Sequence, residues 1–453
     1  MTLTTPAPWP GGRREAERRL AAIDPIAYGA TRNHLDGAVT RLSPYIRHGV
    51  LTLAEVREAV FAWLREHGYG EPGRQAEGRR IAGKLINELG WRDYWQRLWL
   101  QLGDGIWSDL EPLKTGHPAA SYAPDLPADV AAASTGLVCI DAFAAEMMAT
   151  GWLHNHARMW LASYLVHWRR VRWQAGAAWF LQHLLDGDPA SNNLSWQWVA
   201  SSFSSKPYLF NRDNLERYSR GRYCRTCPRA GRDCPFEASY EQLQGHLFPQ
   251  AGHAAAATDS PGPASPDPLV QPGSARPAPV LPAPPLRRPL LWIHGEALGP
   301  ANPALRAHPG APALFVFDSE LLAGRTATTG GRPLAPGRVR FLRQCLAELP
   351  LRVREGDGAA ELLAFAAEHG ADGVVTSAAV DPRFAATAAA IAERLPLQVL
   401  PVEPFVDLEL PAAQLRRFSR YWRLAEPLVW AGFSRRARDS ATAPPAAARP
   451  PGR

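Results

Sequence analysis

The chain has 453 residues, 46% of them hydrophobic, and a formal net charge of +7 at neutral pH. That length predicts two domains, and the apolar content excludes a chain disordered throughout. No apolar run reaches the roughly 20 residues of a membrane span, and the charge permits nucleic-acid contact without requiring it. The opening MTLTTPAPWPGGRREAERRL lacks the apolar stretch of a secretory signal, which predicts a cytoplasmic protein. Five cysteines in so long a chain make no disulfide scaffold, so clustered ones point to a metal site.

Residues 13–248 predict a helical domain. Apolar residues recur at three- and four-residue steps over 51–68, 80–102 and 140–168, with few β-branched residues between them. Thirteen of the sixteen tryptophans precede residue 200, which concentrates the large aromatic surface in this domain. Residues 249–288 are dominated by Pro, Ala, Ser and Gly, a disordered linker. Residues 289–433 change rhythm. Short apolar runs at 290–294, 313–318, 351–355, 373–377 and 397–402 alternate with helical stretches, which predicts a smaller α/β domain with a doubly wound parallel sheet. No G-x-G-x-x-G follows its first strand, so no dinucleotide site is predicted there. Residues 434–453 are basic, then Pro/Ala-rich, and predict a disordered tail.

Four clusters in the helical domain bear chemistry. The stretch DGDPASNNLSWQW (186–198) combines Asp186, Asp188, Asn192, Trp196 and Trp198, with Trp173 shortly before it. Each tryptophan taken singly reads as helix packing; several beside a polar cluster suit a planar cofactor or base. In TGWLHNHARMW (150–160), Asn155 and Arg158 share a helix face, as do His154 and Arg158. That face suits a phosphate or a hydrogen-bonding ring, or is a solvated stripe. In TRLSPYIRHG (40–49), Thr40 and Ser43 bracket an arginine before a helix start, which fits phosphate binding or plain capping. Finally, YCRTCPRAGRDCPF holds Cys224, Cys227 and Cys234. Zinc and iron–sulfur clusters both need a fourth soft ligand, and only Cys139 and Cys345 remain.

Taken together, RLSPYIRHG, INELGWRDYW, TGWLHNHARMWLASYLVHW and LLDGDPASNNLSWQWVAS resemble the FAD-binding domain of the photolyase/cryptochrome family, over about residues 25–245. The resemblance implies a pocket for a folded FAD. Thr40, Arg41, Leu42 and Ser43 would hold its phosphates, with Tyr28 beside them. Glu88, Trp91 and Arg92 match an E-x-x-W-R on the substrate side. Asn155 and Arg158 would contact the flavin side, Arg158 pairing with Asp186. Asp188 would face the flavin ring edge and Asn192 its N5 atom. Trp196 and Trp173 would begin an electron-hopping chain, with Tyr122 or Trp107 as its third member.

The cysteine region is similar to that of iron–sulfur bacterial members of the family, which implies a 4Fe–4S cluster on Cys139, Cys224, Cys227 and Cys234, with Cys345 a core residue. The second domain is similar to the family's antenna-type α/β domain, placed here after the flavin domain; its chromophore is not identified by the residues. The implied activity is a lyase reaction: light-driven repair of a pyrimidine dimer in DNA by electron transfer from reduced FAD. Glu88, Trp91, Asn155, Met159 and Trp198 would meet the flipped-out dimer, and arginines 217, 220, 222, 225, 229 and 232 are candidates for phosphate contacts. The alternative is a cryptochrome-type photoreceptor that signals without repair; His156 stands where dimer photolyases usually carry an arginine.

Overall fold

The computed structural model describes residues 9–249 and 285–442. Most of the predicted linker, and residues 443–453 of the predicted tail, lie outside the described residues. Among the described residues no helix is long and apolar enough to cross a membrane.

The fold is a helical unit followed by a five-stranded parallel sheet unit. The first long amphipathic segment becomes helix Leu53–Glu66, opened by a capping box. The Thr52 hydroxyl accepts from Glu55 N–H at 3.0 Å, and the Glu55 carboxylate accepts from Thr52 N–H at 2.8 Å. Helix Gln75–Leu102 buries Leu85, Ile86, Leu89, Tyr94, Trp95, Leu98 and Trp99. The stretch predicted as helical over 140–168 is broken. Helix Val138–Thr150 ends at Gly151, whose φ is +71°, and helix Asn155–Ser163 restarts after three extended residues. A Cβ at Gly151 would lie 2.6 Å from Leu185 Cγ, so glycine is required for both the backbone turn and the close approach. Helices Trp173–His183 and Pro189–Ala200 complete the part that frames the site.

Strands β1 (Pro289–Ile293), β2 (Ala313–Asp318), β3 (Arg352–Gly356), β4 (Gly373–Ser377) and β5 (Leu397–Leu400) lie in the order β3-β2-β1-β4-β5, all parallel. Leu291 pairs with Ala313 on one side of β1 and with Val375 on the other. β1 and β4 are buried along their whole length, as expected for central strands covered on both faces. Of three apolar clusters among the described residues, one runs from the helical unit into this sheet, through Leu185, Leu291, Phe341 and Cys345.

Helix Phe418–Thr442 runs across the boundary expected between residues 433 and 434. After β5 the chain returns to the helical unit: Tyr94 donates to Leu415 O at 2.7 Å and Arg97 to Leu408 O at 2.6 Å. Helix Phe418–Thr442 then packs on helix Gln75–Leu102. Phe418 stacks on Trp91 at 3.7 Å and 9°, and Tyr421 donates to Asp93 at 2.6 Å. Trp422 lies where a Cβ on Gly90 would be, 2.2 Å away. Phe418, Tyr421, Trp422 and Trp430 bury enough aromatic surface to hold an arginine-rich segment in a helix.

Candidate functional site

A cavity of about 740 Å³ opens between helices Gln75–Leu102, Asn155–Ser163 and Pro189–Ala200. Among the residues singled out in the sequence, it is lined by Tyr28, Thr40, Ser43, Glu88, Trp91, Arg92, Asn155, Arg158, Met159, Asp186, Asn192, Trp196 and Trp198. Arg32, Asn33, Trp95 and Phe180 also line it, and sequence reasoning missed them. Their one local signal is that Arg32 and Asn33 follow a short helix capped by Asp24.

The polar wall is built around Arg158. Its Nε donates to Leu153 O at 2.8 Å, and its Nη2 to Asp186 Oδ2 at 2.9 Å. Asp186 Oδ1 is buried with no protein donor, so this wall presents an acceptor ready for a ligand hydroxyl or ring N–H. Thr40 and Ser43 cap no helix: helix Ser43–Arg47 has no side-chain cap, and Thr52 caps the next one. Their presence on the cavity wall removes the capping alternative. The Asn192 amide donates to Ala177 O and to Asn193 Oδ1, both at 3.0 Å, so its plane is held fixed.

Charge in the cavity is tightly controlled. Burial pushes the Glu88 carboxyl above its ordinary value, while the Arg32 guanidinium at 2.7 Å pulls it back only in part. Burial pushes His154 and His156 down to about 4, so both are neutral at pH 7. His154 Nδ1 accepts from His156 N–H at 3.1 Å, which assigns the proton to Nε2, 3.0 Å from Arg32 O.

Aromatic rings finish the wall. Trp196 meets Phe180 edge-on at 4.9 Å and lies across Gly176, where a Cβ would come within 2.2 Å of the indole. Trp91 stacks on Phe418, and Trp95 lies 5.0 Å from it at a tilt of 35°. Trp198 is 37% exposed at the mouth.

Four predicted site residues lie off the cavity. Arg41 adopts φ +54° and sets its guanidinium 5.1 Å from the Trp152 ring. Leu42 is 1% exposed and belongs to the core. Trp173 is buried behind the wall, stacked on Trp107 at 6.4 Å and 10°, with its indole N–H on Asp109 at 2.6 Å. Asp188, expected at the flavin ring edge, is 1% exposed and is not among the residues lining the cavity. It caps helix Pro189–Ala200 by accepting from Ser191 N–H at 2.9 Å, and it also takes Gln96, with Arg92 at 3.4 Å and Arg47 at 3.5 Å. Burial pushes the Asp188 carboxyl up, but Arg92, Arg47 and the Ser191 bonds outweigh it, and the net shift is downward. An N-cap aspartate before Pro189 is a local signal that could have been read in the sequence.

Cys139, Cys224, Cys227 and Cys234 line one small cavity together with Arg212, Tyr223 and Phe236. Among the described residues no group of three or more His, Cys, Asp or Glu is placed to hold a metal ion. Burial raises the Cys139 thiol, helped by the neighbouring Cys224, and pushes Cys224 up to about 11. Cys345 lies elsewhere, accepting from Gly12 N–H at the junction of the two units. Of the basic candidates, Arg220 pairs with Asp36 and Arg229 with Asp233, each at 3.2 Å.

A second cavity, of about 130 Å³, sits at the carboxyl ends of β1, β2 and β4. Trp292, His294, Glu296, Asp381, Arg383 and Arg47 border it. It is smaller than the roughly 300 Å³ at which ligand pockets begin, so these residues do not fit an antenna chromophore.

Residues 85–224 match the family described as the FAD binding domain of DNA photolyase. A deoxyribodipyrimidine photo-lyase of Streptomyces griseus is 34% identical over 196 residues, covering 42% of this chain and 39% of that protein. One from Salmonella typhimurium is 41% identical over 112 residues, 24% of each chain. A cryptochrome DASH of Idiomarina loihiensis is 29% identical over 213 residues, 46% of this chain and 45% of that protein. The chain thus spans less than half the length of these relatives. Among solved structures, a class III photolyase from Agrobacterium tumefaciens aligns at 20% identity with a TM-score of 0.41, over 55% of this chain and 56% of that one. Residues 85–224 are thus similar to the FAD-binding domain of DNA photolyases.

Proposed function

We propose that the chain is a flavin-dependent, light-driven photolyase-like protein that splits pyrimidine dimers in DNA. The observation that carries this reading is the single cavity of about 740 Å³ that joins a polar wall, Arg158–Asp186 and Asn192, to the aromatic mouth of Trp91 and Trp198. The orphan acceptor on Asp186 fits a ligand of FAD's hydrogen-bonding chemistry. Bound reduced FAD supplies the light-excited electron. The protein binds and orients. Arg158 and Asp186 hold the flavin side, Thr40 and Ser43 the phosphate side. Trp91 and Trp198 offer flat faces to an extruded pyrimidine dimer, and Glu88 and Asn155 offer hydrogen bonds to its carbonyls. Trp196, Trp173 and then Trp107, which is stacked on Trp173 and partly exposed, form the route by which electrons reach the flavin from solvent. Tyr122 is buried against Thr115 at 2.8 Å, which favours Trp107 over it as the outer member.

The test is a repair assay. Flavin-loaded, reduced protein is illuminated with blue light beside a single-stranded oligonucleotide carrying one cyclobutane thymine dimer. Restored thymine that depends on light is the expected result; none, with flavin present in the sample, removes dimer repair. A cryptochrome-type photoreceptor is the second reading. The Phe418 stack favours it, because one face of the expected substrate ring Trp91 is already occupied from within the chain.

We further propose a 4Fe–4S cluster on Cys139, Cys224, Cys227 and Cys234. Its support is the convergence of four thiols, one from helix Val138–Thr150 and three from 224–234, on one small cavity. Burial raises the proton affinity of Cys139, Cys224 and Cys234, which cationic iron would offset in holding them as thiolates. Cys224→Ala is expected to purify with most of its iron and acid-labile sulfide gone. Full iron retention in that variant removes Cys224 from the ligand set.

A further inference from the structure

We infer that Arg338, a residue of the α/β unit, is a positioning residue for the flavin cavity, and that the α/β unit acts as the cap of that cavity's wall. The inference rests on FAD occupying the cavity. Helix Trp173–His183 ends immediately before Leu184, Asp186 and Gly187, all of which line the cavity. The last carbonyls of a helix have no partner within it. Here two of them are satisfied from the other unit: Ala335 N–H donates to Gln182 O at 3.0 Å, and Arg338 Nη1 donates to Leu181 O. The other arm of the same guanidinium, Nη2, donates to Gly187 O at 3.1 Å. One rigid fork therefore joins the helix end to the turn between Asp186 and Asp188.

Further contacts reinforce the same turn. Arg47 Nε donates to Gly187 O at 3.2 Å while its guanidinium faces Asp188 at 3.5 Å and Glu296 at 3.6 Å. His48 lies 3.0 Å from Leu185 O and 2.9 Å from Gly295 O, so one imidazole touches the wall and the α/β loop after β1. Gly187 leaves no room for a side chain, because a Cβ would stand 2.8 Å from Arg338 Nη1 and from Leu184 O.

Arg338 is 6% exposed, and its Nε has no partner. A buried cation with an unpartnered N–H is costly, and simple packing would favour an apolar residue. The negative end of helix Trp173–His183 and the carboxylates of Asp186 and Asp188 offset only part of that cost, against burial and the like charges of Arg47 and Arg383. Asp186 and the helix end belong to the wall. Arg338 does not line the flavin cavity, so it acts through the wall and not on the ligand.

The test uses the full chain with FAD, following FAD affinity by fluorescence titration and the flavin midpoint potential, with circular dichroism as the check of folding. Arg338→Met is expected to stay folded, to bind FAD roughly tenfold or more weakly, the scale of a lost charge-assisted hydrogen bond, and to shift the potential. Arg338→Lys, which can reach one carbonyl but not both, should recover part of each. Gly187→Ala should reproduce the loss while leaving the arginine in place. A folded Arg338→Met with wild-type affinity and potential overturns the inference. Should that variant not fold, wild-type values in both Arg338→Lys and Gly187→Ala overturn it equally. Wild-type protein that takes up no FAD overturns the cavity assignment itself, a result distinct from unchanged variants.

Discussion

Asp188→Ala is expected to destabilise the protein by about 3–5 kcal/mol, the cost of leaving buried cations without their partner. Asp188 is 1% exposed and faces both Arg47 and Arg92. It also accepts from Gln96 and caps helix Pro189–Ala200. Removing it takes the shared carboxylate from Arg92 and Arg47, of which Arg47 keeps Glu296 and Gly187 O, and leaves an N-terminal donor uncapped. Urea denaturation measures the loss, and a change below about 1 kcal/mol would contradict the buried network. Asp188→Asn, which can still cap Ser191, should lose less. The pH dependence follows with a definite sign. The native Asp188 carboxyl lies below its ordinary value, so its contribution is complete above about pH 4 and is lost as pH falls through the native value. The acid limb of stability below about pH 4 should therefore be shallower in Asp188→Ala than in the wild type.

Arg158→Met should weaken FAD binding by about 2–4 kcal/mol, roughly 30- to 1,000-fold. The arginine is the partner of Asp186 Oδ2, while Oδ1 already lacks a protein donor. Without Arg158 the carboxylate would face the cavity with neither oxygen satisfied, and it would repel a phosphate-bearing ligand. Arg158 also holds Leu153 O, where the chain leaves the break at Gly151, so the variant loosens the start of helix Asn155–Ser163. Flavin retained per protein after gel filtration, at several FAD concentrations, reads the effect. Binding within twofold of wild type would show that the ion pair is not part of the cofactor site.

Phe418 and Arg338 show where local sequence signals stop. The segment around Phe418 reads as basic and polar when its neighbours are counted, yet Phe418, Tyr421 and Trp422 meet helix Gln75–Leu102, and Trp430 and Phe433 meet Phe61. Only the meeting of the two helices turns that pattern into a packed face, with Gly90 making room for Trp422. Arg338 leaves still less trace. Its acceptor Leu181 lies 157 residues away along the chain, and nothing in the sequence around either residue announces the bond.

The chain's own order of residues determined the helical unit followed by a parallel α/β unit, because helical and strand periodicities are properties of a few consecutive residues. It also determined the polar wall, since Asp186 to Trp198 is one short stretch carrying carboxylates, amides and indoles together, and Arg158 shares a helix face with Asn155. Tertiary structure alone decided which of those groups face the cavity. Asp188 turns away because two arginines and a helix N-terminus compete for it, and Asp186, two residues earlier, stays on the wall with Arg158. Tertiary structure also decided that the wall's helix is capped from the other unit. Orphan carbonyls at a helix end must be satisfied, but which distant donor reaches them is set by how the two units pack, and that information resides in no single stretch of the chain.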